Sequence, residues 1–208
     1  MLGALRAWLR SHLGRGDESR DVIVSAHDGY PRWVDSGADF IEIDIRRTPD
    51  GMIVLAHDEL DPGATYATLE EVLDAACGRI GIQLDLKEEG YEVELMRMAL
   101  ARCPVARLVL TTESPDSARI VKQQFPGVRV GITAKDVRAT NADFAPVDQQ
   151  YASEEALDFC ARNRIPVWVW TVDDDRLMKR FINDKRVAGI ITNRPDRALR
   201  LIRRSRTS

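Results

Sequence analysis

Residues 40–58 read FIEIDIRRTPDGMIVLAHD, and the fold of the chain can be worked out from this stretch. Its first half alternates with a period of two, so Glu42 and Asp44 share one face of a predicted strand while isoleucines form the other. Two carboxylates on a buried face repel each other and lose hydration, which a cation would offset. The alternative is an edge strand whose acids face water. The all-isoleucine opposite face favours burial and a hard metal ion such as Mg²⁺ or Ca²⁺.

The second half of the stretch predicts a hairpin that brings a histidine to the acids. Pro49-Asp50-Gly51 is a turn signal between two apolar runs, so Met52–Ala56 is expected to return antiparallel to the first strand. Cross-strand pairs then sum to about 100 in residue number, which sets His57 beside Ile43 and Asp44. A second histidine, His27, ends the first apolar run. Either one alone would be read as a hydrogen-bonding residue, but two histidines near one acidic strand suit acid–base work at a phosphate ester.

A second polar face is predicted in the strand that begins at Gly81. Gln83, Asp85 and Lys87 alternate with apolar residues and therefore share one face. Asp85 is a candidate third metal ligand, while Lys87 is a candidate contact for a phosphate oxygen. A simple ion pair between Asp85 and Lys87 explains the lysine almost equally well.

The rest of the chain alternates short β-branched runs with amphipathic helical stretches, which predicts a mostly parallel sheet. The predicted strands are Val22–Ser25, Phe40–Ile45, Met52–Ala56, Gly81–Leu86, Arg107–Leu110, Val128–Ile132, Ala145–Val147, Val167–Trp170 and Gly189–Thr192. The predicted helices are Thr68–Ala76, Tyr91–Ala101, Ser114–Gln124, Ser153–Asn163, Asp174–Asn183 and Asp196–Arg203.

The sheet is predicted to close into a single distorted (β/α)8 TIM-type barrel rather than to remain open and doubly wound. Residues whose side chains can bind a metal or transfer a proton stand at the C-terminal ends of strands spread along the sequence, which is how barrel enzymes assemble their sites. Nine strands are one too many for such a barrel. The predicted hairpin resolves this, because its second strand folds back on the first instead of crossing over.

Composition narrows the class of protein. The length of 208 residues suits one barrel domain, and a net charge of −3 argues against a general affinity for nucleic acid. The three cysteines are odd in number and widely spaced, so neither a disulfide framework nor a zinc site is predicted, and each thiol is expected to pack against a helix.

Residues 1–20 are expected to form an amphipathic helix that precedes a barrel domain at 21–208. Its leucines and Trp8 recur at helical spacing, with Arg6 and Arg10 between them. We expect this helix to cover the barrel floor, with the alternative that it lies on a membrane surface as a peripheral contact. The opening residues lack the apolar run of a signal peptide, so the cytoplasm is the expected location.

Seven segments of the chain, in order, resemble the signature of the glycerophosphodiester phosphodiesterase family. This family belongs to a wider superfamily of barrels that resemble the phosphatidylinositol-specific phospholipases C. The segments are Ala26–Gly29, Gly37–Ile45, Thr48–Gly51, Ile53–Asp58, Asp85–Lys87, Val167–Asp173 and Gly189–Pro195. The resemblance therefore runs over nearly the whole chain.

The resemblance implies a phosphoric diester hydrolase that cleaves glycerol-containing phosphodiesters with a divalent cation, Mg²⁺ or Ca²⁺ foremost and Mn²⁺ as a further option. Small-molecule phosphodiesters are the implied substrates, with a lysophospholipid as the other option. The roles that it implies are metal ligation by Glu42, Asp44 and Asp85, acid–base catalysis by His27 and His57, phosphate binding by Lys87, and an apolar wall at Trp170.

The chain departs from the family at three places. Asp28 follows the first histidine, where family members carry a phosphate-binding arginine. The family's Pro-Glu-Asn-Thr segment is absent, and Asp85 stands where most members have glutamate. Other residues must therefore bind the phosphate, and Arg46 and Lys87 are the candidates.

Two further outcomes stay open at the sequence level. The Asp85–Lys87 spacing is similar to that of the sphingomyelinase D toxins, and His27-Asp28 is similar to the bacterial phospholipases C. Those relatives use an internal hydroxyl and release a cyclic phosphate. The missing arginine also allows a barrel that binds phosphoesters without turning them over.

Overall fold

The chain forms a nearly closed barrel of eight parallel strands that alternate with helices, as predicted. The computed structural model describes residues 22–133 and 142–205. Its strands are β1 Ile23–Ala26, β2 Phe40–Arg47, β3 Ile53–Leu55, β4 Gly81–Leu86, β5 Leu108–Thr112, β6 Arg129–Ile132, β7 Ala145–Asp148, β8 Val167–Trp170 and β9 Val187–Thr192. Its helices are α1 Leu69–Ala76, α2 Glu92–Arg102, α3 Pro115–Gln124, α4 Glu154–Arg162, α5 Asp175–Asn183 and α6 Pro195–Arg204, with a short 3-10 turn at Val105–Arg107.

The strand order around the barrel is β6-β5-β4-β2-β1-β9-β8-β7, and every neighbouring pair in this series is parallel. An isolated parallel bridge between Gly131 and Phe144 links the two ends of the series. The strands therefore present their C-terminal ends at one face of the barrel, where enzymes of this architecture carry their sites.

The ninth strand, β3, pairs antiparallel with β2 outside the barrel series. Its register joins Ile45 to Leu55 and Arg47 to Ile53, so the paired residue numbers sum to 100. The predicted hairpin and register are both confirmed. Gly51 closes the turn with a φ of 94°, a left-handed conformation that glycine adopts without steric cost.

Helix starts follow from the predicted capping residues. Thr68 accepts from the backbone of Glu71, and Glu71 accepts in return from the backbone of Thr68, which completes a capping box at α1. Ser114 and Ser153 cap α3 and α4 through their side chains. These bonds satisfy backbone N–H groups that a helix start otherwise leaves without partners.

Aromatic side chains fill the barrel interior below the C-terminal face. The indole of Trp168 lies 5.6 Å from the ring of Phe40 and 4.7 Å from that of Phe144, measured between centroids. Glycines face these rings: a Cβ at Gly81 would stand 2.6 Å from the Phe40 ring, and one at Gly189 would stand 2.9 Å from Trp168. The interior is therefore packed, and the polar residues above it have a rigid floor.

The cysteines differ from the prediction that all three are free thiols. Cys77 and Cys103 are joined as a disulfide, with their Cα atoms 5.4 Å apart. Each follows directly on a helix, Cys77 after α1 and Cys103 after α2, so the bond ties together the ends of neighbouring helices. Cys160 keeps a free thiol that is 1% exposed, and burial raises the pKa of this thiol.

The predicted N-terminal helix at 1–20 lies outside the described residues, so its place on the barrel floor stays a prediction. Among the described residues, none of the helices has the length and apolar character needed to cross a lipid bilayer.

Candidate active site

Strand β2 presents two carboxylates to the inside of the barrel. Glu42 is 4% exposed and Asp44 is 3% exposed, although both are acidic. Ile41, Ile43 and Ile45 point the other way, into the main hydrophobic core that the helices cover. The predicted alternation is therefore correct, and the alternative of acids facing bulk water is wrong.

Strand β4 brings a third carboxylate to the same place. Asp85 lies directly beside Asp44 in the parallel register, and Gln83 lies beside Glu42. Carboxylate oxygens of Glu42, Asp44 and Asp85 lie within 4.8 Å of one another. Three predicted ligands from two separate strands thus meet at one point.

Lys87 supplies the positive charge at this point. Its Nζ lies 2.6 Å from Asp44 Oδ1 and 2.5 Å from Asp85 Oδ2. Burial by itself would lower the pKa of Lys87, but the charges of Asp85 and Asp44 and the hydrogen bonds to them outweigh burial and raise this pKa. The lysine is therefore charged and bridges the two strands, which agrees with the predicted ion pair and adds Asp44 to it.

The single positive charge of Lys87 neither balances the three carboxylates nor pairs all of their oxygens. Burial raises the pKa of Glu42 well above its usual range, and the charges of Asp44 and Asp85 raise it further, against a lowering bond from the Asp28 backbone. In addition, Asp44 Oδ2 is buried without a hydrogen-bond partner among the described residues. Buried oxygens are almost always paired, so an unpaired one among three carboxylates points to a further cation. These residues can hold a divalent metal ion.

His27 stands at the C-terminal end of β1 and is held by a neighbouring strand. Its Nδ1 lies 3.1 Å from Asn193 Oδ1, just beyond β9. Asn193 is fixed in turn by Asp173, whose carboxylate accepts from the amide Nδ2 at 2.7 Å and from the backbone N at 2.8 Å. Because the Asn193 amide donates to Asp173, its oxygen faces the ring and Nδ1 is the donor, which leaves Nε2 of His27 free.

His57 follows β3 and is the more exposed of the two rings, with 63% of its side chain accessible. Its Nδ1 lies 3.0 Å from Asp58 Oδ1. The backbone reaches this position because Ala56 N donates to Asp44 O at 3.1 Å, as the hairpin register predicts. The imidazoles of His27 and His57 line the same pocket, which has a volume of about 760 Å³ and also contains Asp85 and Lys87.

The predicted phosphate and wall residues also line this pocket. Trp170 stands at the end of β8, and it packs against the aromatic cluster of the interior. Arg46 donates to Glu88 Oε1 at 2.7 Å and to the carbonyl oxygen of His57 at 3.0 Å. Its guanidinium is therefore engaged in holding the His57 backbone, and its role at a phosphate stays a prediction.

Asp28 directly follows His27, at the position where the sequence resemblance led us to expect a phosphate-binding arginine. Its φ of 45° lies in the left-handed region, which aspartate tolerates better than most residues, and its backbone N donates to Glu42 Oε2 at 3.2 Å. The side chain is exposed and negatively charged, so it gives no help in binding a phosphate.

Three residues at this site received no role from the sequence: Asp173, Asn193 and Thr111. Asp173 and Asn193 follow strand ends, which is the one signal that could have found them, because residues after parallel strands gather at one face. Thr111 lies within β5 beside Asp85 and reads as an ordinary strand residue.

Comparison with known proteins agrees with this geometry. Residues 29–93 match the model of the glycerophosphoryl diester phosphodiesterase family, a segment that contains Glu42, Asp44, His57, Asp85 and Lys87. A glycerophosphodiester phosphodiesterase of Caldanaerobacter subterraneus subsp. tengcongensis is 26% identical over 235 aligned positions, which cover 91% of this chain and 96% of that protein.

Solved structures share the fold. A glycerophosphodiester phosphodiesterase from Parabacteroides distasonis superposes with a TM-score of 0.80 at 20% identity, covering 91% of this chain and 99% of its own. A phosphodiesterase from Oleispira antarctica, in complex with the product sn-glycerol-3-phosphate, superposes with a TM-score of 0.75 at 16% identity, covering 87% and 96%.

The barrel and its acidic pocket, together with these relatives, define a hydrolase of the phosphoric diester class. The chain is similar to the glycerophosphodiester phosphodiesterases, by the family model over residues 29–93 and by the Caldanaerobacter relative over most of its length.

Proposed function

We propose that this chain is a metal-dependent phosphodiesterase that cleaves glycerophosphodiester-type substrates with two histidines as acid and base. The observation that carries the proposal is the cluster of Glu42, Asp44 and Asp85, which retains an unpaired buried oxygen and whose Asp85 lines a pocket together with both imidazoles. Glycerophosphodiesters are the proposed substrates because the relatives are named for them, and one is bound to sn-glycerol-3-phosphate.

In this proposal Glu42, Asp44 and Asp85 hold the cation, with Mg²⁺ or Ca²⁺ preferred over Mn²⁺ because the ligands are hard oxygens. When bound, the ion neutralises negative charge on the phosphate oxygens. Lys87, already at the cluster, offers its ammonium to a non-bridging oxygen. Trp170 provides the apolar wall at the side of the pocket.

The histidines carry the proton transfers. One imidazole accepts the proton of the attacking water or hydroxyl through a ring nitrogen to which no described residue is hydrogen-bonded, and the other donates a proton to the leaving alkoxide. Contacts at Nδ1 hold both rings, that of His27 by Asn193 and that of His57 by Asp58, so Nε2 is the proposed reactive atom of each.

Phosphorus NMR of the reaction with sn-glycero-3-phosphocholine tests this proposal. The experiment compares Mg²⁺, Ca²⁺ and Mn²⁺ with EDTA, and we expect a phosphomonoester to appear only with metal. His27→Ala and His57→Ala should each lower kcat by about 10²- to 10⁴-fold, the usual contribution of a general acid or base. His12→Ala is the matched control, since the third histidine has no assigned role, and it should keep full activity.

Other outcomes of this experiment are equally informative. A cyclic phosphate signal would show that an internal hydroxyl is the nucleophile, as in the phospholipase C-like relatives. Turnover of lysophosphatidylcholine in place of the glycerophosphodiester would move the substrate class to lysophospholipids. Binding without any product, or activity that survives both histidine substitutions, would contradict the proposed mechanism.

A further inference from the structure

A chain of buried hydrogen bonds crosses the barrel interior and ends on Asp85. Ser25 Oγ in β1 donates to Gln83 Oε1 at 2.8 Å, and Gln83 Nε2 in β4 lies 3.3 Å from Thr111 Oγ1 in β5. Thr111 Oγ1 then donates to Asp85 Oδ1 at 2.5 Å. Ser25, Gln83 and Thr111 are all buried, so the first two bonds are shielded from competing water, and the third reaches the partly buried Asp85 at the pocket.

The direction of this chain is fixed by the chemistry of its members. A carboxylate only accepts, so the single hydroxyl proton of Thr111 must point at Asp85. The Thr111 oxygen is then free to accept from the Gln83 amide nitrogen, and the Gln83 oxygen accepts from Ser25. Each donor therefore has one assigned acceptor, and the last hydrogen bond of the series is donated to Asp85, the candidate metal ligand.

The two oxygens of Asp85 are consequently held in different ways. Oδ1 accepts from Thr111, and Oδ2 accepts from Lys87 Nζ. An aspartate has two rotatable side-chain bonds, and without Thr111 only the long side chain of Lys87 would hold its carboxylate at the cluster. Thr111 is a stiff, β-branched residue within β5, directly beside Asp85 in register, and is therefore well placed to prevent this rotation.

We propose that Thr111 is a positioning residue for the metal site, and that its hydroxyl holds Asp85 in the orientation in which it binds the cation. This inference rests on the proposed function, because it assumes that Glu42, Asp44 and Asp85 are the ligands.

A purely structural role for Thr111 makes a different prediction. If the hydroxyl only satisfies the buried Gln83 amide, its loss lowers the stability of the fold and leaves the affinity for metal unchanged. If it positions Asp85, its loss weakens metal binding even in a protein that folds as before. The two roles are separated by measuring metal affinity and unfolding temperature on the same variants.

The test is titration calorimetry of the metal-free full chain with Mn²⁺, comparing wild type with Thr111→Val and Thr111→Ser. Valine keeps the shape of threonine and removes the hydroxyl, and we expect its dissociation constant for Mn²⁺ to rise by about 10- to 100-fold, the usual effect of losing a partner of a ligand. Serine keeps the hydroxyl and should restore an affinity close to wild type.

Thr112→Val is the matched control, because Thr112 is the next residue of β5 and its hydroxyl accepts from the Ser114 backbone N at 3.1 Å. We expect this variant to bind Mn²⁺ as wild type does. Thermal unfolding of each metal-free variant establishes that it is folded. Thr111→Ala, with the same loss of the hydroxyl in a smaller side chain, replaces Thr111→Val if valine prevents folding.

The outcomes distinguish this inference from the function on which it rests. Wild type that binds none of Mn²⁺, Mg²⁺ and Ca²⁺ would overturn the metal-dependent function itself. Wild type that binds Mn²⁺ with an affinity equal to that of the folded valine or alanine variant would overturn the role of Thr111 alone. Loss of affinity in the serine variant as well would also overturn it, since the hydroxyl would then not be the group that matters.

Discussion

At the scale of single residues, the contact between His27 and Asn193 governs how the first imidazole is presented. Asn193 holds Nδ1 of His27 and is itself held by Asp173. Asn193→Ala removes this orientation, so we expect kcat to fall by about tenfold or more, a part of the 10²–10⁴-fold that a positioned acid or base contributes. KM should change little, because Asn193 has no proposed contact with substrate. Steady-state kinetics with a glycerophosphodiester provides the measurement.

Asn183→Ala is a suitable control for this prediction. Asn183 ends α5, and its amide donates to the Lys179 carbonyl on the helix surface, away from the pocket. Its kcat should equal that of wild type. An Asn193→Ala variant with unchanged kcat would show that His27 does not depend on this contact.

Residues whose role follows from local alternation could be predicted from the sequence. Glu42, Asp44 and Asp85 each lie in a strand whose opposite face is apolar, so the sequence reveals which way they point. Asn193 and Thr111 could not be assigned in this way. Asn193 acts on a residue 166 positions away, and Thr111 acts across a strand pair, and no local pattern encodes such contacts.

At the scale of elements, the β2–β3 hairpin determines where His57 stands. Gly51 closes this hairpin at a φ of 94°. Gly51→Ala places a Cβ in the left-handed region, which costs about 1–2 kcal/mol, and we expect the free energy of unfolding in urea to fall by that amount.

Gly63→Ala is the matched control for the hairpin, because Gly63 does not have a positive φ and its added Cβ would meet only Asp61 Oδ1 at an ordinary 3.5 Å. This variant should unfold within a few tenths of a kcal/mol of wild type. Equal losses in the two variants would show that the turn conformation is not what limits stability.

The positions of strands and helices were predictable because the hydrophobic periodicity agreed with the turn and capping residues along the chain. The runs at Gly81–Leu86 and Val167–Trp170 were predicted with the bounds that the structure has, and the turn at Pro49-Asp50-Gly51 gave the register of the hairpin. The disulfide was missed. Cys77 and Cys103 are 26 residues apart in sequence, and only the side-by-side packing of α1 and α2 brings them together.

At the scale of the whole molecule, a cation at the carboxylate cluster should stabilise the fold. Glu42 and Asp44 lie in β2 and Asp85 in β4, so an ion that binds them adds a link between two strands of the barrel. At a concentration of about 100 times Kd, binding adds about 2.7 kcal/mol. For a protein of this size that corresponds to a rise of about 5–10 °C in Tm, measured by thermal unfolding with and without Mn²⁺ or Ca²⁺.

Glu42→Gln provides the control for this effect. Glutamine keeps the size of the side chain but lacks the carboxylate charge, so the rise in Tm should be greatly reduced. A wild-type Tm that does not respond to any of the divalent ions would contradict the assignment of the cluster as a metal site.

Closure of the barrel was predictable in kind and not in detail. Strand–helix alternation and the spread of functional residues over strand ends predicted a closed barrel, and the hairpin explained the extra strand. The aromatic packing of Phe40, Phe144 and Trp168 was not predicted, because Phe40 lies in β2, far along the chain from Phe144 and Trp168 at β7 and β8, and only the closed barrel brings it to them.

The buried thiol of Cys160 can report transient local opening of the folded protein. The other two cysteines are joined to each other, and this one is 1% exposed on a helix that packs against the barrel. A reagent such as a chromogenic disulfide can reach its sulfur only when the surrounding structure opens, so the speed of labelling follows how often the native protein does so. The rate at which Cys160 is labelled can therefore show, without an engineered probe, whether substrate analogues or ions slow the local opening of the barrel.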